Sequence, residues 1–386
     1  MRTIEYEDSL SAATPLEHPA WRQQHLQSTL KGARGLDPRD NSLNLIRLLL
    51  ASAVLVSHSF PLAGLPEPTF AGTTLGGWAV IGFFSISGYL ITGSRWRTPF
   101  GSYLVHRILR IFPAFLVCLV VTAFAFAPVA FFVERGTLDG FLATPNTPVS
   151  YVLVNSSLRM VDYSIAGTLG GVPLPSAWNG SLWTLYYEFL CYLIIGVLAS
   201  FALFRRGPWG IVVAFVLSVA LHAWIGQVVA HVGGGADLIF LAKLLPYFLG
   251  GALLFVVRER IPLVWPVALV SATVTVVCVL LWNSWGGQLA APFFAVVLLW
   301  LGRVVPSPGW FQRHDVSYGT YVYAFPVQQL LALAGIHHLG QIVYIAAAIV
   351  PTAVLATLSW FLVERPVMRR ARGRKPNAGD IAALRA

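Results

Sequence analysis

Long apolar runs separated by short polar clusters set the rhythm of this chain. Counting stretches near twenty residues, the length a helix needs to cross a bilayer, places spans at about 43–62, 75–93, 109–131, 182–204, 209–226, 238–257, 263–282, 286–303, 316–336 and 340–363. The pattern predicts an all-α polytopic membrane protein with about ten transmembrane helices. The connections alternate in charge. Arg95, Arg97, Arg107 and Arg110 follow the second span, Arg205 and Arg206 the fourth, Arg258 and Arg260 the sixth, and Arg303 and Arg313 the eighth. A basic cluster from Arg365 to Lys375 follows the tenth, whereas 63–74, 227–237, 283–285 and 337–339 carry no Lys or Arg. The long connection 132–181 carries only Arg135 and Arg159. Positive charge gathers on the cytoplasmic side of membrane proteins, so both termini are expected in the cytoplasm. The expected organisation is a polar lead-in at 1–40, a membrane domain at 41–366 and a basic tail at 367–386. No internal repeat and no second soluble domain is visible.

Composition agrees with this picture. Of 386 residues 56% are hydrophobic and 11% charged, with mean hydropathy +0.70, against roughly 25% charged residues in a soluble domain. The net charge of +10 reads as membrane orientation and not as a nucleic-acid surface, because the basic residues sit in the loops between apolar runs. Cys118, Cys191 and Cys278 all fall inside apolar runs, so no disulfide framework or CxxC metal site is available. His222, His231, His337 and His338 lack metal-ligand spacing to nearby Cys or acidic residues, and no metal is expected.

The first span poses the chemical question. Within NSLNLIRLLLASAVLVSHSFPL stand Arg47 and His58, eleven positions apart, which is nearly three helical turns and about 16 Å along one face. An ionisable group at mid-bilayer depth costs roughly 2.5–3.5 kcal/mol on insertion scales, so such residues usually face a protein interior or a wet cavity. The alternative is structural, with Arg47 snorkelling to the interface and His58 bonded to a neighbouring helix. With both termini inside, Arg47 lies near the inner surface and His58 in the outer half, a geometry suited to two substrates on opposite sides.

The order of motifs resembles the acyltransferase-3 family of integral-membrane O-acyltransferases, which includes bacterial enzymes that acylate lipopolysaccharide O-antigen and exopolysaccharide. The likeness covers about 38–370. It rests on Arg47 and His58 in the opening helix, GFFSISGYLIT at 82–92, an RxxR pair at Arg107 and Arg110, and NGSLWTLYYEFLCYL at 179–193. SYGTYVYAFP at 317–326 and FLVERP at 361–366 close the series. One position departs: the His of the family's SYxxYLxHxP is Ala324 here.

The resemblance implies acyl-CoA, acetyl-CoA above all, as donor substrate with no permanently bound cofactor, a carbohydrate hydroxyl as acceptor, and the bacterial inner membrane as the place. Removing a hydroxyl proton needs a base, and His has the side-chain pKa nearest neutrality, so His58 is the expected catalytic base or, through the same atom, the site of an acyl-imidazole. Arg107 and Arg110 offer forked donors for donor phosphates; without the motif they would read as positive-inside anchors. Arg47 either holds a donor phosphate or pairs with an acid, and Glu188 in the fourth span is the natural candidate. Glu188 alternatively orients His58. Small residues along the second span, Gly82, Gly88, Gly93, Ser85 and Ser87, suit close helix packing or a pantetheine arm. Two further readings stay open: acylation of a lipid or small natural product, and a transporter or flippase in which Arg47 and His58 line a route. The latter calls for repeated halves or paired broken helices, and neither is seen.

Overall fold

The computed structural model describes residues 36, 37, 40–232, 235–282 and 284–373, so nearly all of the 1–40 lead-in and the tail from 374 lie outside the described residues. Fourteen helices matter here: α1 (Leu43–His58), α2 (Leu75–Arg97), α3 (Phe100–Val121), α4 (Ala127–Arg135), α5 (Pro148–Asn155), α6 (Thr184–Leu198), α7 (Trp209–Ala223), α8 (Ile225–Val232), α9 (Ala236–Val257), α10 (Trp265–Leu281), α11 (Ala291–Val304), α12 (Ser317–Leu333), α13 (Gln341–Ser359) and α14 (Arg365–Gly373). The one sheet among the described residues is a hairpin of Thr69–Phe70 and Thr73–Thr74 between α1 and α2.

Each of the ten predicted stretches is helical, but fewer have spanning length. Among the described residues five helices are long and apolar enough to cross a membrane: Leu43–Ala63, Leu75–Arg97, Phe100–Arg135, Ala236–Val257 and Gln341–Arg370. A sixth counts if α7 and α8, bent by 76° at their junction, act as one span. Thr184–Leu198, Trp265–Leu281 and Ala291–Val304 are apolar but shorter. Apolar composition runs on past the point where the backbone stops being helical: α6 ends in a turn at Ala199–Phe201 although 199–204 stays hydrophobic. Two predicted spans run longer than expected, α3 into α4 through a π turn at Thr122–Phe126, and α13 into α14 through another at Trp360–Glu364. The boundary drawn at 366 therefore falls inside a continuous helix.

Local signals set the ends. Thr74 caps α2 by accepting from Gly77 N at 3.0 Å, and Thr147 caps α5 in the same way with Pro148 in the first turn. Gly136, at φ +73°, ends α4 by turning its N–H back to the Phe132 carbonyl.

α2 packs on α9 with the backbones in contact. A Cβ on Gly88 would lie 1.9 Å from the Phe248 carbonyl oxygen, and one on Gly251 would lie 2.0 Å from the Ser85 oxygen. The small-residue stripe of α2 is thus a packing surface. α12 is the central pole, buried on nearly every side. Its polar groups are tied to backbone: Tyr318 Oη donates to the Ile111 carbonyl at 2.9 Å, Gln328 Nε2 to Leu55 at 2.9 Å, and Gln329 Nε2 to Leu174 at 2.9 Å and Ala177 at 2.7 Å. These bonds let a helix too polar for lipid sit inside the bundle.

One end of the bundle gathers the arginines. The start of α1 meets the end of α11, where Ser42 N donates to Gly302 O at 2.7 Å. Arg95, buried at the end of α2, donates to Gly196 O and Ser200 Oγ of the α6 terminus.

Candidate active site

The polar residues of α1, α3, α6 and α12 fall into three groups. The first is an ion chain at the arginine-rich end. Arg47 Nη1 donates to Asp315 Oδ2 at 2.5 Å, and Arg110 Nη2 reaches the same oxygen at 2.6 Å. Arg110 Nη1 donates to Glu364 Oε2 at 2.8 Å. The remaining carboxylate oxygens are also filled: Asp315 Oδ1 accepts from Ser317 Oγ and N, and Glu364 Oε1 from Ser359 Oγ. Two cations face two anions, with side-chain exposures from 2% at Glu364 to 19% at Arg47. Balance and full hydrogen bonding are the conditions under which buried charge is tolerated. The carboxylate partner of Arg47 is Asp315, just before α12, and not Glu188. Glu364 reaches Arg110 from the end of the π turn that interrupts the last long helix.

The second group separates the RxxR pair. Arg107 stands one turn before Arg110 on α3, with its guanidinium 5.9 Å from the Tyr103 ring centroid and its buried Nε unpartnered. Among the described residues no carboxylate lies within ion-pair distance of it. Arg110 is committed to two acids; Arg107 is a cation without one. Glu188 Oε1 accepts from Ser87 Oγ at 2.8 Å and Tyr192 Oη at 2.6 Å, which ties α6 to α2. Arg47 and Glu188 line one narrow cavity with Phe83, Ser317, Tyr318 and Tyr321, so the two share a space without pairing.

The third group surrounds His58, the last residue of α1. Its ring meets Phe325 edge-on, centroids 5.4 Å apart, and its buried Nδ1 has no partner among the described residues. Gln328, one turn beyond Phe325, holds the Leu55 carbonyl in the same final turn of α1. Phe325 in turn lies against Gly180, where a Cβ would come within 2.5 Å of the ring. The NGSLW segment therefore reaches His58 through one aromatic ring. Tyr321 fastens that segment to α12 by bonding Thr184 Oγ1 and Ser181 O. No hydrogen bond joins Glu188 to His58.

A carboxylate stands beside this end too. Glu67, between α1 and α2, bonds Ser57 Oγ, which also accepts from Gly76 N. Partial burial pushes the Glu67 carboxyl above its usual range, opposed by a hydrogen bond from Thr74.

This frame carries the order of elements that the comparisons match. The family profile described as "Acyltransferase domain" spans residues 40–361, most of the chain. The chain belongs to the acyltransferase-3 family. An "O-acetyl transferase" of Shigella phage Sf6 is 33% identical to this acyltransferase over 345 residues, covering 86% of the chain and 97% of the relative. "Nodulation protein 10" of Rhizobium leguminosarum bv. viciae is 30% identical over 367 residues, covering 85% and 93%. "Exopolysaccharide production protein ExoZ" of Rhizobium meliloti (strain 1021) is 27% identical over 335 residues, covering 81% and 96%. No solved structure matches the acyltransferase significantly.

Asp315, Glu364 and Gln328 are the polar residues of this acyltransferase's site that sequence reasoning passed over. A signal existed for two of them: each is a lone acid at the edge of an apolar run, where buried charge demands a partner. Ala324 packs with Leu55 and Ala348, so the small side chain at the departing position fills a contact between α12, α1 and α13. Trp178, just before the NGSLW segment, is fully buried, its indole N–H bonded to Thr168 Oγ1 at 2.9 Å.

Proposed function

We propose that this acyltransferase moves an acyl group, acetyl first among candidates, from acyl-CoA to a carbohydrate hydroxyl, with several passes through a bacterial inner membrane and both termini in the cytoplasm. The arginine-rich end faces the donor. Arg107, a cation without a carboxylate, holds donor phosphate, and Arg47 and Glu188 border the path of the acyl arm. Arg110 keeps α3 fixed to Asp315 and Glu364. The donor thioester reaches the turn of α1 at which His58 ends, and the acceptor enters from the opposite side.

His58 takes the hydroxyl proton as the oxygen attacks the thioester carbonyl. The carbon–sulfur bond breaks, and the departing thiolate carries off the electron pair and is then protonated. The observation that carries the reading is the unpartnered, buried Nδ1 of His58 at the far end of the helix whose other end holds Arg47. A neutral imidazole has one acceptor nitrogen, and a base must keep it free for the substrate proton. The relatives named for O-acetyl transfer and exopolysaccharide production support the acetyl and saccharide parts of the proposal.

The test is acetyl transfer by purified protein in lipid nanodiscs. His58→Ala and His58→Gln are expected to lose about 10²–10⁴-fold in rate while still binding coenzyme A, because a positioned base is worth that much. Retention of most activity by His58→Gln would remove the base and acyl-imidazole routes together.

A further inference from the structure

A second and larger cavity, about 490 Å³, opens at the arginine-rich end between the start of α1 and the ends of α2 and α9. That volume falls in the range of small-molecule sites. Its walls include Arg97, Arg258, Tyr89, Phe255, Asn44 and Leu90. Arg258 lies over the Phe255 ring, 4.3 Å to its centroid, and spends one bond on the Phe255 carbonyl and one on Glu259, the sole acid of the lining. Arg97 is exposed and has no acidic partner among the described residues. The foot of the cavity is therefore net cationic, with donors left over.

The Arg47–Glu188 space is a separate cavity further along the same two helices. Asn44 lines the lower cavity and Arg47 the upper one, a single turn apart on α1. On α2, Phe83 lines the upper cavity while Leu90 and Arg97 line the lower, and sevenfold spacing puts all three on one stripe with about 10 Å between successive members. Leu90, which lines the lower cavity, is 39% exposed. The cavity at the foot is about 490 Å³, and the one beside Arg47 and Glu188 about 30 Å³. A broad cationic foot, an apolar middle and a narrow polar neck match a ligand with one bulky polyanionic head and one thin uncharged arm. A two-chain lipid does not suit a single narrow neck.

We infer that Arg97 and Arg258 bind the phosphorylated nucleoside end of the thioester donor, the arm running up the Leu90–Phe83 stripe toward His58. The inference deepens the proposed function and rests on its acyl-CoA reading. Coenzyme A carries phosphate at two places, a diphosphate and a 3′-phosphate, so Arg107 and this pair are not rivals for one group.

The experiment compares wild type with Arg97→Gln, Arg258→Gln and the double variant, full length in nanodiscs, by equilibrium binding of coenzyme A and by turnover of acetyl-CoA against S-acetylpantetheine, which has the arm and no phosphate. Loss of charged hydrogen bonds should weaken coenzyme A binding about tenfold or more in the double variant. The preference for acetyl-CoA over S-acetylpantetheine in kcat/KM should shrink by a similar factor, and Arg→Lys at both positions should restore part of it. Undiminished coenzyme A affinity in folded variants, or an equal loss on both donors, overturns the inference. So does loss of retained phosphatidylglycerol with coenzyme A binding intact, which would make the foot a lipid headgroup site. Failure of wild type itself to bind coenzyme A counts against the proposed function and is seen before any variant is made. If the double variant does not fold, Arg97→Gln alone reads the same two ratios, since Arg97 makes no ion pair among the described residues.

Discussion

Asp315→Asn is the sharpest probe of the ion chain. One oxygen, Oδ2, receives both Arg47 at 2.5 Å and Arg110 at 2.6 Å. The amide removes the charge from both bonds and leaves Arg47 with no carboxylate, while Arg110 keeps Glu364. Breaking a buried pair by removing one partner costs about 3–5 kcal/mol. Asn retains an acceptor oxygen and Arg47 keeps some solvent contact, so the lower part of that range applies. A loss of about 3 kcal/mol, on the order of 100-fold in the unfolding equilibrium, is expected. The assay is a denaturant titration in mixed micelles followed by Trp fluorescence, run on wild type, Asp315→Asn, Arg47→Gln and the double variant. Removing the cation with the anion should recover at least about 1 kcal/mol relative to the sum of the single losses, since residues in one network are non-additive. Activity should stay lost in the double variant, because Arg47 is proposed to border the donor path. Additivity within about 0.5 kcal/mol would refute a coupled, charge-balanced chain.

The remaining predictions concern other parts of the molecule. Arg107→Gln should raise the KM for acetyl-CoA with little change in unfolding free energy, and Arg110→Gln should lower that free energy by about 3 kcal/mol; equal effects on both quantities would return the pair to one role. Gly88→Ala should destabilise by more than about 3 kcal/mol, because the added carbon meets backbone and not a yielding side chain, and normal accumulation of the folded protein would contradict that. Single cysteines at positions 140 and 207, in a background lacking Cys118, Cys191 and Cys278, should differ in labelling by a membrane-impermeant thiol reagent on intact cells, with 140 reactive and 207 not.

Much of the helical frame is readable in the sequence because hydrophobic run length and helix formation share one physical cause, the need to satisfy backbone groups in lipid. Span length was less readable. The turn after Ala199 and the π turns at Thr122–Phe126 and Trp360–Glu364 depend on packing, and apolar composition is blind to it. Arg47, Glu188 and His58 stood out as polar residues in apolar runs, and the structure places the first two beside one cavity. Their partners were hidden for a definable reason. Asp315 lies 268 residues after Arg47, and no local period links them. The arginines of this end shared a charge but not a role: Arg95 and Arg110 fasten helices, and Arg97 and Arg107 have no acidic partner among the described residues. Only the positions of Asp315, Glu364, Gly196 and Ser200 separate them.

The sequence distance within the ion chain bears on how the protein is made. Arg47 and Arg110 leave the ribosome well before the acids that neutralise them: Asp315 trails Arg47 by 268 residues, and Glu364 trails Arg110 by 254. At roughly 5–20 residues per second, each cation waits on the order of 10–50 s beside or within the bilayer. During that interval α1 and α3 carry uncompensated charge, and the glycine face of α2 has no α9 to meet. Slowing translation between α3 and α12 should therefore lower yield more than slowing it after α13.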